Sequence, residues 1–73
     1  MATDFNHPIV GRIAVYRDPF KARAEQGQIT SVNEDAGLVF VRYSGATSAA
    51  TNADERLTFL DGSLVSAALR SAS

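Results

Sequence analysis

Residues 38–43 read LVFVRY, and this stretch is the strongest strand prediction in the chain. Most of its residues are β-branched or aromatic, which is the composition that pleated strands favour. Because side chains alternate along a strand, Val39 and Val41 share one face, while Leu38 and Phe40 share the other. A strand that is apolar on both faces is buried on both sides or lies at an interface.

Other strands and one helix are predicted on either side of this segment. The predicted strands are Arg12–Tyr16, Glu25–Asn33 and Glu55–Leu60. A fifth strand is expected either from Ile9–Val10 or from the Thr47–Thr51 region. Gly27 is expected to mark a bulge or bend in the second strand. Apolar residues at helical spacing predict a short helix over Leu64–Leu69.

Short strands joined by short loops are typical of a small barrel. We therefore predict a mainly β fold, a small SH3-like five-stranded barrel with a short C-terminal helix. The side chains expected to fill its core are Ile13, Val15, Ile29, Val32, Val39, Val41, Leu57 and Leu60. Burial of each is worth roughly 1.5–3 kcal/mol before the loss of chain entropy is subtracted.

The chain has 73 residues, the size of one domain. We expect a flexible N-terminal tail at residues 1–8 and a single domain at 9–70. With no cysteine and one histidine, His7, the chain excludes disulfides, thiolate metal sites and histidine-rich metal sites. No cofactor is predicted. No apolar run approaches the roughly 18 residues of a membrane span, and no signal peptide pattern begins the chain, so we predict a cytoplasmic protein without a membrane partner.

One part of the sequence resembles a known group of proteins. The matching residues are Gly27–Asn33, Leu38–Tyr43, Gly45, Ser48–Thr51 and Leu57. They are similar to the pattern G-x-I-T-S-V-N, V-F-V-R-Y, S-K-A-T and L of small phage and prophage proteins with an SH3-like or KOW-like barrel. Ala49 stands where that pattern has lysine, and the stretch after it lacks the usual proline. The resemblance implies a barrel fold and a bacterial host cell, without a settled activity.

Catalytic groups are sparse in this sequence. His7 lies in the expected tail and is interpreted as solvated there. The carboxylate pairs Glu34–Asp35 and Asp54–Glu55 are adjacent residues whose side chains point apart, so they suit turns better than acid–base catalysis. The glycines are isolated and form no phosphate loop. We predict neither an enzyme nor a small-molecule substrate, unless an oligomer builds a site at its symmetry axis.

Two binding surfaces follow from the pattern of aromatic and basic residues. The first is a protein interface formed by Tyr16, Phe20, Leu38 and Phe40. It predicts a non-enzymatic protein-interaction module, with a protein partner or self-association, unless the C-terminal helix covers this face. The second is a nucleic-acid surface formed by Arg12, Arg17, Lys21, Arg23 and Arg42. Basic and aromatic residues together suit phosphates and bases, although the net charge of −1 opposes general nucleic-acid binding.

Overall fold

The computed structural model describes residues 6–17, 20 and 24–71, which form one antiparallel sheet followed by a short helix. Its elements are β1 (Ile13–Arg17), β2 (Ala24–Asn33), β3 (Leu38–Tyr43), β4 (Ala50–Ala53), a 3₁₀-helix (Asp54–Arg56), β5 (Leu57–Phe59) and α1 (Val65–Ser71). The strands lie in the order β4-β3-β2-β1-β5. The predicted mainly β fold with five strands and a short C-terminal helix is confirmed.

The long strand β2 forms the middle of the sheet because it pairs with both β1 and β3. Its register against β3 shifts between Ile29 and Ser31, so the bulge lies there and not at Gly27, where it was predicted. Gly27 instead allows a close approach between β2 and β3. A Cβ atom at this position would lie 2.6 Å from Val41 Cγ1 and 2.7 Å from the Arg42 carbonyl oxygen, so only glycine lets the two strands approach.

The fifth strand is β4, which overlaps the Thr47–Thr51 region, whereas Ile9–Val10 forms a turn. The predicted strand Glu55–Leu60 is shorter than expected and becomes β5. The 3₁₀-helix contains Glu55 and Arg56, the first two residues of the predicted strand. β4 and β5 lie at opposite ends of the strand order, so the chain must leave the sheet between them.

The core lies on one face of the sheet, called the inner face below, and α1 packs there. Its buried apolar side chains are Ile9, Ala14, Ile29, Val32, Val39, Val41, Leu57, Phe59, Val65 and Leu69. The predicted core positions Ile13 and Leu60 are wrong, since these side chains are 37% and 65% exposed. Ala14 stands opposite Phe59 on the inner face, and its small side chain leaves room for the ring.

The C-terminal helix docks on its own sheet. Val65 and Leu69 are fully buried in the core, while Leu64 precedes α1 and pairs with Thr58 of β5. This packing also buries His7, which was predicted to be solvated in a tail. The His7 Nε2 atom donates a hydrogen bond to the Leu69 carbonyl oxygen at 3.0 Å, so residues 6–8 belong to the folded unit.

Candidate interaction surface

The four residues of the predicted protein interface do not form one surface. Tyr16 packs against the core on the inner face. Leu38 and Phe40 are half-buried on the opposite face, called the outer face below, because their neighbours Val39 and Val41 point into the core. Phe20 is 93% exposed in the connection between β1 and β2. Since α1 occupies the inner face, it does not cover Leu38 and Phe40.

A second group of apolar side chains lies on the outer face, where β1 meets β5. Ile13, Leu60 and Leu64 are each exposed by more than a third, and we call them the aliphatic patch. The register explains their position: Thr58 pairs with Val15 on one side and with Leu64 on the other, and Val15 and Ile13 share a face. Ile13 and Leu60 line the same depression. The patch therefore brings together residues that were predicted to be buried.

Two shallow depressions flank Ile13. The first has a volume of about 240 Å³ and is lined by Gln26, Gln28 and Arg42 beside Ile13. The second has a volume of about 330 Å³ and lies on the other side, toward Leu60. Arg42 pairs across the sheet with Gln28, which pairs with Ile13, so these three side chains form a row on the outer face. Such a row offers an apolar ridge with amide and guanidinium donors beside it.

The structure describes three of the five basic residues of the predicted nucleic-acid surface. Arg17 and Arg42 occupy outer-face strand positions. The Arg12 guanidinium carbon lies 3.7 Å from the centre of the Phe59 ring, a cation–π contact that holds this side chain at the end of the core. Lys21 and Arg23 lie outside the described residues. No outer-face position of the five described strands carries a carboxylate, whereas Asp61, which follows β5, lines the depression beside Ile13 and Leu60.

Two titratable groups of the described residues have pKa values that their surroundings shift. Burial, together with the negative charge of Glu25, raises the pKa of Tyr43 to about 12, so its hydroxyl stays protonated and donates to the Asn52 Oδ1 atom at 2.9 Å. Hydrogen bonds from Ser63 lower the pKa of Asp61, which keeps this exposed carboxylate ionised. Within the described ranges, no three histidine or acidic side chains gather as metal ligands.

No family model, curated protein or solved structure matches this chain. The helix α1, at seven residues, is far shorter than the roughly 20 that cross a bilayer, and no other helix of the described residues could span one either. The aliphatic patch is the feature that sequence reasoning missed. Alternation along β1 separates Ile13 from Ala14, but it does not say which of the two faces the core.

Proposed function

We propose that this chain is a non-enzymatic protein-interaction module that uses the outer face of its sheet. The observation that carries the proposal is the aliphatic patch: Ile13 and Leu60 line one depression, Leu64 lies on the same face beside Thr58, and all three side chains remain exposed. An exposed group of aliphatic side chains that polar residues surround is characteristic of an interface. Leu38 and Phe40 extend the same face across β3.

The charges on this face favour a partner of defined chemistry. Arg42 lines a depression together with Ile13, and Arg17 lies on the same face further along β1. Among the described residues no strand position of this face carries a carboxylate, and the Asp61 carboxylate lies only at the Leu60 end. A protein segment with apolar residues flanked by aspartate or glutamate would complement it. Nucleic acid is the less favoured ligand because aliphatic side chains supply neither phosphate contacts nor aromatic stacking.

Site-specific photo-crosslinking tests this proposal. A photoreactive amino acid at Leu60 should capture a protein that the same group at the exposed loop residue Thr47 does not capture. The captured protein is then purified, and its affinity is measured for the intact chain, Leu60→Asp and Thr47→Asp. We expect a loss of at least about tenfold for Leu60→Asp and none for Thr47→Asp, with a modest dependence on salt. Equal affinities for all three chains, or a ligand that proves to be nucleic acid, would overturn the proposal.

We also infer that the sheet curls into a small SH3-like barrel. The inference is supported by the ten-residue strand β2, which pairs with β1 and β3 and carries a bulge where the sheet can bend. The buried side chains from both ends of the sheet also belong to one core. NMR contacts between inner-face side chains of β4 and β5 would establish this curl without backbone pairing of the two edges, and their absence would mean an open, bent sheet. The resemblance to phage and prophage proteins stays a prediction.

A further inference from the structure

The two edges of the sheet differ in whether another segment of the chain pairs with them. At the β5 edge, Thr58 pairs with Leu64, and the Phe59 amide donates to the Ser63 carbonyl oxygen at 2.9 Å. The returning chain therefore covers that edge. At the other end of the sheet, β4 pairs with β3 alone, and none of the described residues pairs with its far side.

The hydrogen-bond phase of β4 identifies the groups that face the open edge. The Asp54 amide donates to the Gly37 carbonyl oxygen at 2.9 Å, which sets the start of the ladder with β3. In an antiparallel pair, bonded and non-bonded positions alternate. Asn52 is therefore bonded to β3, whereas the backbone groups of Thr51 and Ala53 point away from it. Both residues present their N–H donor to the open edge, and Thr51 also presents its C=O acceptor, whereas the Ala53 carbonyl oxygen already accepts the first hydrogen bond of the 3₁₀-helix that it caps.

The composition of β4 lacks the residues that usually prevent edge pairing. Its sequence is Ala-Thr-Asn-Ala, without charge and without proline, and no bulge interrupts its pairing with β3. Lysine, proline and bulges are the devices by which natural sheets keep their edges apart. The nearest charge along the chain, Asp54, is buried and lies 3.6 Å from the Arg70 guanidinium.

We propose that β4 pairs antiparallel with β4 of a second copy of this chain, across a two-fold axis perpendicular to the sheet. A strand that meets itself brings its own charges close together, so a neutral strand suits a symmetric pair. Thr51 lies opposite Ala53 of the second copy. In this register the Ala53 amide donates to the Thr51 carbonyl oxygen of the other copy, and the Thr51 amide donates to the second lone pair of the Ala53 carbonyl oxygen, which the 3₁₀-helix leaves available.

This inference concerns an edge of the sheet and goes beyond the proposed function, which concerns a face. The two-fold axis keeps both outer faces on the same side, so the two sheets join into one continuous sheet. Leu38 and Phe40, which stand opposite Ala53 and Thr51 within the chain, then lie beside the new junction. Four paired residues make a short edge, so we expect a weak dimer whose population rises with concentration.

Proline substitutions at neighbouring positions test the pairing. Thr51→Pro removes an amide that points to the open edge, so the fold should persist and the dimer should disappear. Asn52→Pro is the matched control: it removes an amide bonded to β3, so it should lower the thermal midpoint instead. The measurements are mass by sedimentation equilibrium over a concentration series, and thermal unfolding of each variant.

Amide hydrogen exchange on the unaltered chain tests the same proposal without a substitution. The Thr51 and Ala53 amides should exchange about tenfold more slowly where about nine-tenths of the chains are paired than in dilute solution. Leu60→Asp should leave this protection intact, which separates the dimer from the proposed binding face. A strict monomer at every concentration would overturn the proposal, as would a dimer that survives Thr51→Pro or dissociates in Leu60→Asp.

Discussion

Replacing His7 by alanine should separate the N-terminal segment from the C-terminal helix. The His7 Nε2 atom donates to the Leu69 carbonyl oxygen at 3.0 Å, and the Nδ1 atom accepts from the Ile9 amide at 3.3 Å. These partners assign the proton of the neutral ring to Nε2. The Leu69 carbonyl lies in the last turn of α1, so the imidazole caps this end of the helix.

The cost of this substitution can be worked from the two hydrogen bonds. The Leu69 carbonyl and the Ile9 amide would be left without their partner at a buried site, and each such group costs about 1–3 kcal/mol. The two groups together would cost about 2–6 kcal/mol if both stayed dry. Because water can enter part of the space that the imidazole leaves, we expect His7→Ala to lower the free energy of unfolding by about 2–4 kcal/mol. A chain of this size has roughly 4–11 kcal/mol in total, at about 0.05–0.15 kcal/mol per residue. The thermal midpoint should fall by roughly 10–30 °C.

Urea and thermal unfolding measure the lost free energy of unfolding. Two further substitutions of His7 separate the contributions of its two hydrogen bonds. His7→Gln keeps an amide donor for the Leu69 carbonyl, and His7→Asn keeps an acceptor for the Ile9 amide, so each should lose about half as much as His7→Ala. A His7→Ala chain within about 0.5 kcal/mol of the original would behave like an ordinary surface substitution. That result would mean that the histidine does not hold the two segments together.

Three other predictions concern single residues. The pKa of Tyr43 is raised to about 12 from 10.0, so the unfolded chain loses this proton at lower pH than the folded chain. The free energy of unfolding should therefore fall as the pH rises from about 10 to 12. In urea unfolding, Tyr43→Phe should lack the part of this decrease that the tyrosine causes. Gly27→Ala should cost at least about 1–3 kcal/mol by calorimetry, because its Cβ would meet backbone. Asp54→Asn should change the free energy of unfolding, measured in urea, by less than about 1 kcal/mol, since its partner Arg70 is 67% exposed.

The local composition of the chain was sufficient for the strand at Leu38–Tyr43 and for the helix after Ser63. The strand was predicted correctly because its β-branched and aromatic residues favour pleated backbone over helix. The short strand β4 was harder to predict, since Ala-Thr-Asn-Ala reads as a loop by composition. It becomes a strand because β3 offers a row of backbone partners beside it.

The candidate surface depended on information that the sequence does not contain. His7 reads as a solvated tail residue because the carbonyl that it binds lies 62 residues away along the chain. Tyr16 and Phe40 read as one face, although Tyr16 packs on the core and Phe40 lies on the opposite face. A contact between distant segments leaves no local pattern, so it becomes visible only when the chain has folded.

Sequence alone determined which residues alternate along each strand, and its composition excluded disulfides, thiolate metal sites and histidine-rich metal sites. The tertiary structure decided which of the two alternating faces of β1 is buried. α1 and the turn at Ile9 pack on the inner face, where Phe59 leaves space opposite only for a small side chain, and Ala14 fills it. Ile13 is thereby turned outward, because neighbours on a strand must face opposite ways.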